Sequence, residues 1–98
     1  NKLFSGSKDN TIRIWNTETY EEIAIMRGHT RPVFCLTLHD NKLYSGSGDE
    51  TIRIWNTETY DEIANLRGHT NEEVYCLTHH ENKLYYGGSD KTIRIWNI

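Results

Sequence analysis

The sequence repeats a set of side chains that forms the catalytic triad of many hydrolases. His29 is followed by Ser45, Ser47 and then Asp49, and a second histidine and a second aspartate recur one repeat later. An aspartate that orients a histidine, which in turn activates a serine, performs acyl transfer in such enzymes. An active site is needed once in a chain, whereas this set recurs with the sequence repeat. We therefore predict that these side chains satisfy one another's hydrogen bonds in the interior, and that the chain is not an enzyme.

A second group of residues has the spacing of a metal site. Cys76 is followed by His79 and His80, and cysteine and histidine are the usual ligands of zinc. Residues 76 and 79 point to opposite faces of a regular strand, however, so they cannot share one ion. We predict no metal site and no cofactor, and we expect His79 to find a backbone partner or water.

An internal repeat supplies the elements that must position these side chains. The phrase NKLFSGSKDNTIRIWN occurs three times with small changes, starting at Asn1, Asn41 and Asn82, so the period is 40 and then 41 residues. The extra residue lies where Arg31-Pro32 is replaced by residues 71–73, which indicates a surface loop. A period near 40 residues is typical of a β-propeller, in which each repeat forms one small sheet.

Each repeat contains four short segments with the pattern of β-strands. Residues 11–15 alternate apolar and other side chains, and residues 2–7 precede them across a tight turn, which predicts a hairpin. Residues 21–26 fit helix or strand by propensity, but a turn before them and Gly28 after them leave room only for a strand. Residues 33–38 are rich in side chains that favour β-strands. Four strands in a period of this length predict one propeller blade.

These motifs resemble those of the WD-repeat β-propeller family, and the resemblance covers essentially the whole chain. The third strand of each repeat ends on tryptophan, at Trp15, Trp55 and Trp96. A Gly-His pair follows the fourth strand at residues 28–29 and 68–69. The aspartate that usually follows the tryptophan in this family is asparagine here, and an asparagine side chain can cap the same turn.

The resemblance implies that the triad-like residues form a structural hydrogen-bond network. In the family the aspartate accepts a hydrogen bond from the histidine, and the donors continue to a serine and to the indole N–H. Either serine of the second repeat fits this role, whereas Tyr86 and Gly88 replace both serines in the third repeat, so we expect an incomplete network there. The residues assigned to these networks are His29, Ser45, Ser47, Asp49 and Trp55, then His69, Asp90 and Trp96, with Asp9 and Trp15 in the first repeat.

The resemblance also predicts the fold class, an all-β, partial β-propeller of four-stranded antiparallel blades. With the strands of a blade lettered a to d from the propeller axis outward, the chain runs b-c-d, a-b-c-d and a-b-c. Blade one, residues 1–28, lacks strand a, and blade two, residues 32–67, is complete. Blade three, residues 73–98, lacks strand d. We expect the partial blades to pack against further blades, from the same longer chain or from symmetry copies.

Composition and charge argue against several kinds of partner. The formal net charge of −3 provides no basic surface for nucleic acid or for an anionic membrane. No apolar segment approaches the length of a membrane span. Cys35 and Cys76 occupy equivalent positions in successive repeats, and two small buried thiols are typical of an intracellular protein, which we expect in the cytoplasm. Arg13, Arg53 and Arg94 are expected to be solvated or to pack between blades.

The lack of a unique catalytic set favours a scaffold that binds protein or peptide partners. Propellers of this family often bind through the face that carries the d–a and b–c loops, and these loops differ between the present repeats. Two alternatives stay open: the substrate-targeting propeller of a larger enzyme such as a kinase or a ubiquitin ligase, and an architectural subunit of a large assembly. The residues assigned to partner binding are Lys8, Asn10, Thr30, Arg31, Gly48, Glu50, Thr70, Asn71, Glu72, Glu73, Ser89 and Lys91.

Overall fold

A computed structural model of the chain describes residues 1–66 and 72–98. The described strands are β1 (Lys2–Gly6), β2 (Ile12–Asn16), β3 (Glu22–Met26), β4 (Val33–His39), β5 (Lys42–Ser47), β6 (Ile52–Asn56), β7 (Glu62–Asn65), β8 (Val74–His80), β9 (Lys83–Gly88) and β10 (Ile93–Asn97). They form three antiparallel sheets, β1-β2-β3, β4-β5-β6-β7 and β8-β9-β10, which we call blades one, two and three. This arrangement confirms the predicted all-β partial propeller.

Several predicted features lie outside the described residues. These are the predicted end of blade two at residue 67 and the predicted site residues His69, Thr70 and Asn71. Within the described part of the chain, no helix is long and apolar enough to cross a bilayer.

The repeated phrase folds into the same hairpin in every blade. Phe4 lies opposite Ile14 between β1 and β2, and the equivalent pairs recur between β5 and β6 and between β9 and β10. In the first hairpin turn, Asp9 Oδ1 accepts hydrogen bonds from the backbone N–H and the hydroxyl of Thr11 at 3.1 and 2.5 Å. The turn after β2 is capped by Asn16, whose Oδ1 accepts the N–H groups of Glu18 and Thr19 at 2.8 and 3.1 Å. Asparagine therefore caps this turn, as the sequence predicted.

Alternating side chains make both faces of each blade apolar, because a propeller blade is covered on two sides. We call the side turned toward the next blade along the chain the front face, and the opposite side the back face. One core cluster joins the front of blade one to the back of blade two: Ile12, Ile14 and Met26 against Val33, Leu43 and Trp55. The second joins the front of blade two to the back of blade three: Tyr44 and Ile52 against Val74, Leu84 and Tyr86.

The closest approach between blades occurs where the first residue of strand a meets a glycine of the preceding blade. A Cβ atom on Gly6 would lie 2.8 Å from Val33 Cγ1, and one on Gly46 would lie 2.5 Å from Val74 Cγ1. Real Cβ atoms do not come this close to other atoms, so only glycine fits. The valine of each following blade therefore fills the space that a side chain would need.

Blade three differs from the other two on its front face. Cys76 is exposed, although the sequence analysis predicted two buried thiols. Cys35, its equivalent, is half-buried against blade three, and burial raises the pKa of its thiol to about 12. The prediction for Cys76 was wrong because no described blade covers this face.

Replacing Gly46 with alanine should lower the free energy of unfolding by about 1–3 kcal/mol, because the added methyl group overlaps Val74 and Cys35 and pushes blades two and three apart. Chemical denaturation measures this loss. Gly48→Ala is the matched control, since a Cβ there would lie 3.3 Å from the end of the Phe34 ring, which can shift. We expect the control to change stability by under about 0.5 kcal/mol, and equal losses would contradict the packing argument.

Candidate functional site

The loop before β4 and the β5–β6 hairpin bring four of the predicted network residues together in blade two. His29 Nδ1 lies 2.8 Å from Asp49 Oδ2, and His29 Nε2 lies 2.6 Å from Ser45 Oγ. The Trp55 indole N–H donates to the same Ser45 oxygen at 2.9 Å. Strand register causes this last contact, because Leu43 lies opposite Trp55 and Ser45 follows two residues later on the same face.

Burial and hydrogen bonding fix the protonation states in this network. Burial lowers the pKa of His29 and outweighs the opposing effect of the Asp49 carboxylate. Burial opposes ionisation of Asp49 as well, but hydrogen bonds from Thr51, His29 and the Thr30 N–H hold the pKa of Asp49 below its usual value. A neutral His29 that donates from Nδ1 to Asp49 accepts at Nε2 from the Ser45 hydroxyl. The hydrogen bonds therefore run in one direction, from Trp55 through Ser45 and His29 to Asp49.

The order of contacts matches a catalytic triad, but the serine is inaccessible. Ser45 is fully buried, and the side chains of His29 and Asp49 are almost completely buried. A nucleophile must reach its substrate, whereas the Ser45 oxygen is enclosed between the His29 ring and the Trp55 indole. This geometry supports a structural role for the network.

Ser47, the other candidate serine, has a different role from Ser45. Its hydroxyl lies 3.0 Å from the carbonyl oxygen of Arg31 and 2.9 Å from that of Pro32, and it accepts the Asp49 N–H at 3.1 Å. Ser47 therefore ties the d–a loop to the b–c turn, and Ser45 alone contacts His29.

The sequence analysis missed two members of the blade-two network, Thr51 and Arg53. The Thr51 hydroxyl donates to Asp49 Oδ1 at 2.5 Å, and Arg53 Nε donates to the Thr51 hydroxyl at 3.4 Å. Of the two expectations for this arginine, solvated or packed between blades, the first is excluded because Arg53 is buried, and its Nη1 lies 2.8 Å from Glu62 Oε1. The sequence contained a signal for both residues, because the aspartate of every hairpin turn is followed by a threonine two residues later and by an arginine four residues later.

In blade one an arginine takes the place that the histidine has in blade two. The Trp15 indole donates to Ser5 Oγ at 3.0 Å, which repeats the contact of Trp55. Arg13 Nη2 lies 2.8 Å from Asp9 Oδ2. The equivalent atom of Arg53 lies 3.9 Å from Asp49 Oδ2, the oxygen that His29 contacts in blade two. Hydrogen bonds from Thr11 and Arg13 hold the pKa of Asp9 well below its usual range.

Blade three builds its aspartate site with a second carboxyl group. Glu72 is buried against Asp90, and the hydrogen bond between them raises the pKa of Glu72 and lowers that of Asp90. Arg94 lies 3.1 Å from Asp90 Oδ2 and 3.5 Å from Glu72 Oε1. Gly88, which replaces Ser47, makes room for this side chain, because a Cβ there would lie 3.0 Å from Glu72 Cγ. The replacement of serine by Gly88 therefore provides the space into which the Glu72 side chain turns.

Tyr86 replaces Ser45 in blade three and packs where the serine would lie. Tyr86 is buried, and its ring centroid lies 6.5 Å from that of Trp96. In blade three an aromatic contact between Tyr86 and Trp96 therefore stands where blade two has the hydrogen bond between Trp55 and Ser45.

The predicted binding loops form a surface that we call the loop rim, residues 8–10, 30–32, 48–50, 72–73 and 89–91. Backbone hydrogen bonds of 3.0–3.1 Å join its segments, from Val33 to Ser7, from Gly48 to Pro32 and from Ser89 to Glu73. Gly48 and Glu72 are buried, which removes them from the surface that a partner could touch, since Gly48 packs under Phe34 and Glu72 turns inward. Asn10 and Glu73 are half-buried, and the exposed members are Lys8, Thr30, Arg31, Glu50, Ser89 and Lys91.

His39 on β4 and His79 on β8 contact each other. His79 Nδ1 lies 3.0 Å from the Thr37 hydroxyl, and its ring centroid lies 4.7 Å from that of His39. No group of three histidine, cysteine or acidic side chains within residues 1–66 and 72–98 is arranged to hold a metal ion.

Comparison with known proteins identifies similar chains. A family model described as "WD domain, G-beta repeat" matches residues 1–16, 20–56 and 60–97. The computationally designed Ika4 protein is similar in structure with a TM-score of 0.87 and 32% identity, and the match covers 100% of this chain and 61% of that one. The RRP9 WD40 repeats match with a TM-score of 0.89 and 28% identity, over 99% of this chain and 30% of that one.

A structure of U3-55K is similar to the same extent, with a TM-score of 0.88 and 28% identity over 99% of this chain and 31% of that one. The chain thus spans less than two thirds of each of these proteins. No curated protein sequence matches the chain significantly.

Replacing Asp49 with asparagine should lower the free energy of unfolding by about 1–3 kcal/mol, because His29, Thr51 and the Thr30 N–H lose a charged acceptor in the interior. Asp40→Asn is the matched control, since the Asp40 side chain is exposed and forms an ion pair with His39 at 3.2 Å. We expect the control to change stability by under about 0.5 kcal/mol. Urea denaturation compares the two, and equal losses would show that Asp49 has no special role.

Acidification should destabilise the protein through His29. Folding lowers the pKa of His29 below its ordinary value of 6.5, so the unfolded chain binds a proton more readily than the folded one. Stability should therefore fall as the pH drops below 6.5 toward the folded pKa, and the lowered pKa of Asp49 adds a further loss at still lower pH. Thermal melts between about pH 7 and 5 should show a smaller fall for His29→Gln than for the parent. A fall of the same size in both would assign the titration to another group.

Proposed function

Since this chain belongs to the WD40 repeat family, we propose that it is a non-catalytic module that binds a protein or peptide partner through its loop rim. The family fold is generally a protein-interaction scaffold. The observation that carries the finer proposal is a contrast within the chain: the hairpin strands repeat with few changes, while the exposed charges of the rim differ from repeat to repeat.

The rim can vary because its backbone is held independently of its exposed side chains. Ser47 binds two carbonyl groups of the d–a loop, and the N–H of Gly48 donates to Pro32 at 3.0 Å. Neither contact uses the exposed side chain of Arg31 or Glu50. Changes at these positions therefore alter what a partner meets without altering the frame.

Charge along the rim suits a partner that carries both signs. Lys8 and Arg31 make the junction between blades one and two basic, because the backbone contact from Val33 to Ser7 brings their loops together. Glu50 and Glu73 make the rim acidic on the way to blade three. We infer a peptide or loop whose acidic residues meet the basic junction and whose basic residues meet the acidic segment, since complementary potentials select partners and fix their orientation.

A burial argument separates this proposal from an enzymatic one. The triad-like set in blade two is sealed inside the sheet stack, whereas the rim charges are open to solvent. A substrate-targeting role within a larger enzyme would use the same rim, so both roles make the same prediction for this chain.

Charge reversal at Lys8 or Arg31 should weaken peptide binding by roughly tenfold, which corresponds to about 1.4 kcal/mol. The probe is a phage-displayed library of random peptides selected on the parent chain, followed by affinity measurement of the selected peptides. Lys8→Glu and Arg31→Glu should bind them less tightly and melt at the parent temperature, because both side chains are exposed.

Glu18→Lys is the matched control, since Glu18 is an exposed charge on the turn after β2, at the opposite rim. Binding that survives both rim changes and disappears in Glu18→Lys would place the contact surface on the opposite side. Binding by the parent that depends on none of the three would also overturn the proposal.

A further inference from the structure

The loop that leads into β8 carries a carboxyl group in the interior. Glu72 is only 7% exposed, and its Oε1 atom is buried and forms no hydrogen bond within the described part of the chain. An ionised carboxylate needs hydrogen bonds on both oxygens when it is buried, because an unpaired charge is costly away from water. A buried oxygen without a donor therefore fits the carbonyl oxygen of a neutral carboxylic acid.

The contact between Glu72 and Asp90 also requires a proton. The two carboxyl groups share a hydrogen bond, and two ionised carboxylates have no hydrogen to place between them. This hydrogen bond raises the pKa of Glu72 and lowers the pKa of Asp90. The proton therefore belongs to Glu72, which donates it to the ionised Asp90.

A single guanidinium group serves both carboxyl groups. Arg94 Nη2 lies 3.1 Å from Asp90 Oδ2, and Arg94 Nε lies 3.5 Å from Glu72 Oε1. The other described titratable side chains at this place are Tyr86, which belongs to the adjoining core cluster, and Glu73, the next residue in the chain. Neither of these adds a positive charge. One arginine therefore balances one carboxylate while Glu72 is neutral, and the group gains an excess negative charge when Glu72 ionises.

The Glu72 side chain occupies the place of a fixed contact in blade two. There the Ser47 hydroxyl lies 3.0 and 2.9 Å from the carbonyl oxygens of Arg31 and Pro32, which ties the loop to the hairpin turn. Gly88 stands at the position of Ser47 in blade three and has no side chain to form this tie. The carboxyl group of Glu72 thus takes over a contact that in blade two does not depend on pH.

We propose that Glu72 is a proton-dependent switch in the loop rim. With its proton it stays inside, bound to Asp90, and holds the loop before β8 against the β9–β10 turn. Without the proton, repulsion from the Asp90 carboxylate turns the side chain out to solvent, where it joins Glu50 and Glu73 in the acidic segment of the rim. The switch requires no partner, so it is independent of the proposed binding function.

The switch makes stability depend on pH in the direction opposite to that of His29. Folding raises the pKa of Glu72 above its ordinary value of 4.5 through the hydrogen bond with Asp90, so the folded chain holds this proton more tightly than the unfolded one. The resulting stabilisation is fully present below pH 4.5 and is lost as the pH rises through the folded pKa.

Glu72→Gln isolates this contribution, because glutamine is uncharged at every pH and its amide can donate to Asp90 as the carboxylic acid does. Thermal melts compare the parent and the variant between about pH 4 and pH 7. The melting temperature of the variant minus that of the parent should rise with pH, since only the parent loses the proton. Titration of His29 occurs in both chains and cancels from this difference.

Glu73→Gln is the matched control, since Glu73 is the neighbouring carboxyl group and accepts a hydrogen bond from the Tyr75 hydroxyl at 3.3 Å. Its melting temperature minus that of the parent should not rise with pH. His69 lies outside the described residues, so the comparison is repeated with His69→Gln in both chains. The rise should persist there, and its disappearance would assign the titration to His69 and overturn the proposal.

NMR of the side-chain carboxyl carbons detects the proton directly. Glu72 of the parent should titrate with a midpoint above 4.5, the ordinary pKa of its carboxyl group, because of its hydrogen bond with Asp90. In Asp90→Asn this midpoint should fall, because the amide removes the like charge and can donate to an ionised Glu72. A parent midpoint at or below 4.5, or a midpoint that Asp90→Asn leaves unchanged, would contradict the proposal.

Hydrogen exchange reports whether the loop moves. The Ser89 N–H donates to the Glu73 carbonyl oxygen at 3.1 Å, and the Glu73 N–H donates to Ser89 Oγ at 3.2 Å. The protection factor of the Ser89 amide, which corrects for the intrinsic pH dependence of exchange, should fall in the parent as Glu72 ionises. It should stay constant in Glu72→Gln. Constant protection in both chains would show that ionisation leaves the loop in place, and the switch would be excluded.

Discussion

The structure depends on the packing of one blade against the next, because a sheet of three or four short strands cannot bury two apolar faces by itself. The valine that begins strand a enters the space above a glycine in the preceding blade, at Val33 on Gly6 and at Val74 on Gly46. Two core clusters extend from these contacts across each junction. The repeat period therefore reflects a stacking requirement, and every hairpin has to present the same small residue at the same place.

Each blade also has an aspartate at the turn of its hairpin, buried only in blade two, and the three blades bind it with different partners. The carboxylate always accepts the N–H and hydroxyl of a threonine two residues later. Its other oxygen meets Arg13 in blade one, His29 in blade two and Arg94 in blade three. The shared threonine holds the turn in place, so the remaining partner is free to change. The histidine-serine pair is therefore one of several ways in which these blades bind the aspartate of the turn.

The molecule separates its constant surfaces from its variable one. The blade faces must match a neighbour, so their residues recur from blade to blade with little change. The backbone of the loop rim is held by Ser47 and by backbone hydrogen bonds, and its side chains differ between repeats. Stacking therefore uses residues of each repeat other than those of the rim, so the rim can change without loss of the stacking contacts.

The sequence by itself determined the strands and the three sheets, because periodicity and turn residues are local and the repeat was copied three times. The meeting of His29 with Asp49 was implied by the family resemblance. The sequence did not determine which serine meets His29, since Ser45 and Ser47 lie on the same face of β5 and only the position of the d–a loop separates them. Nor did it distinguish the buried Arg53 from its exposed equivalent Arg94. Tertiary structure decided these points, because identical sequence segments acquire different burial when their neighbours differ.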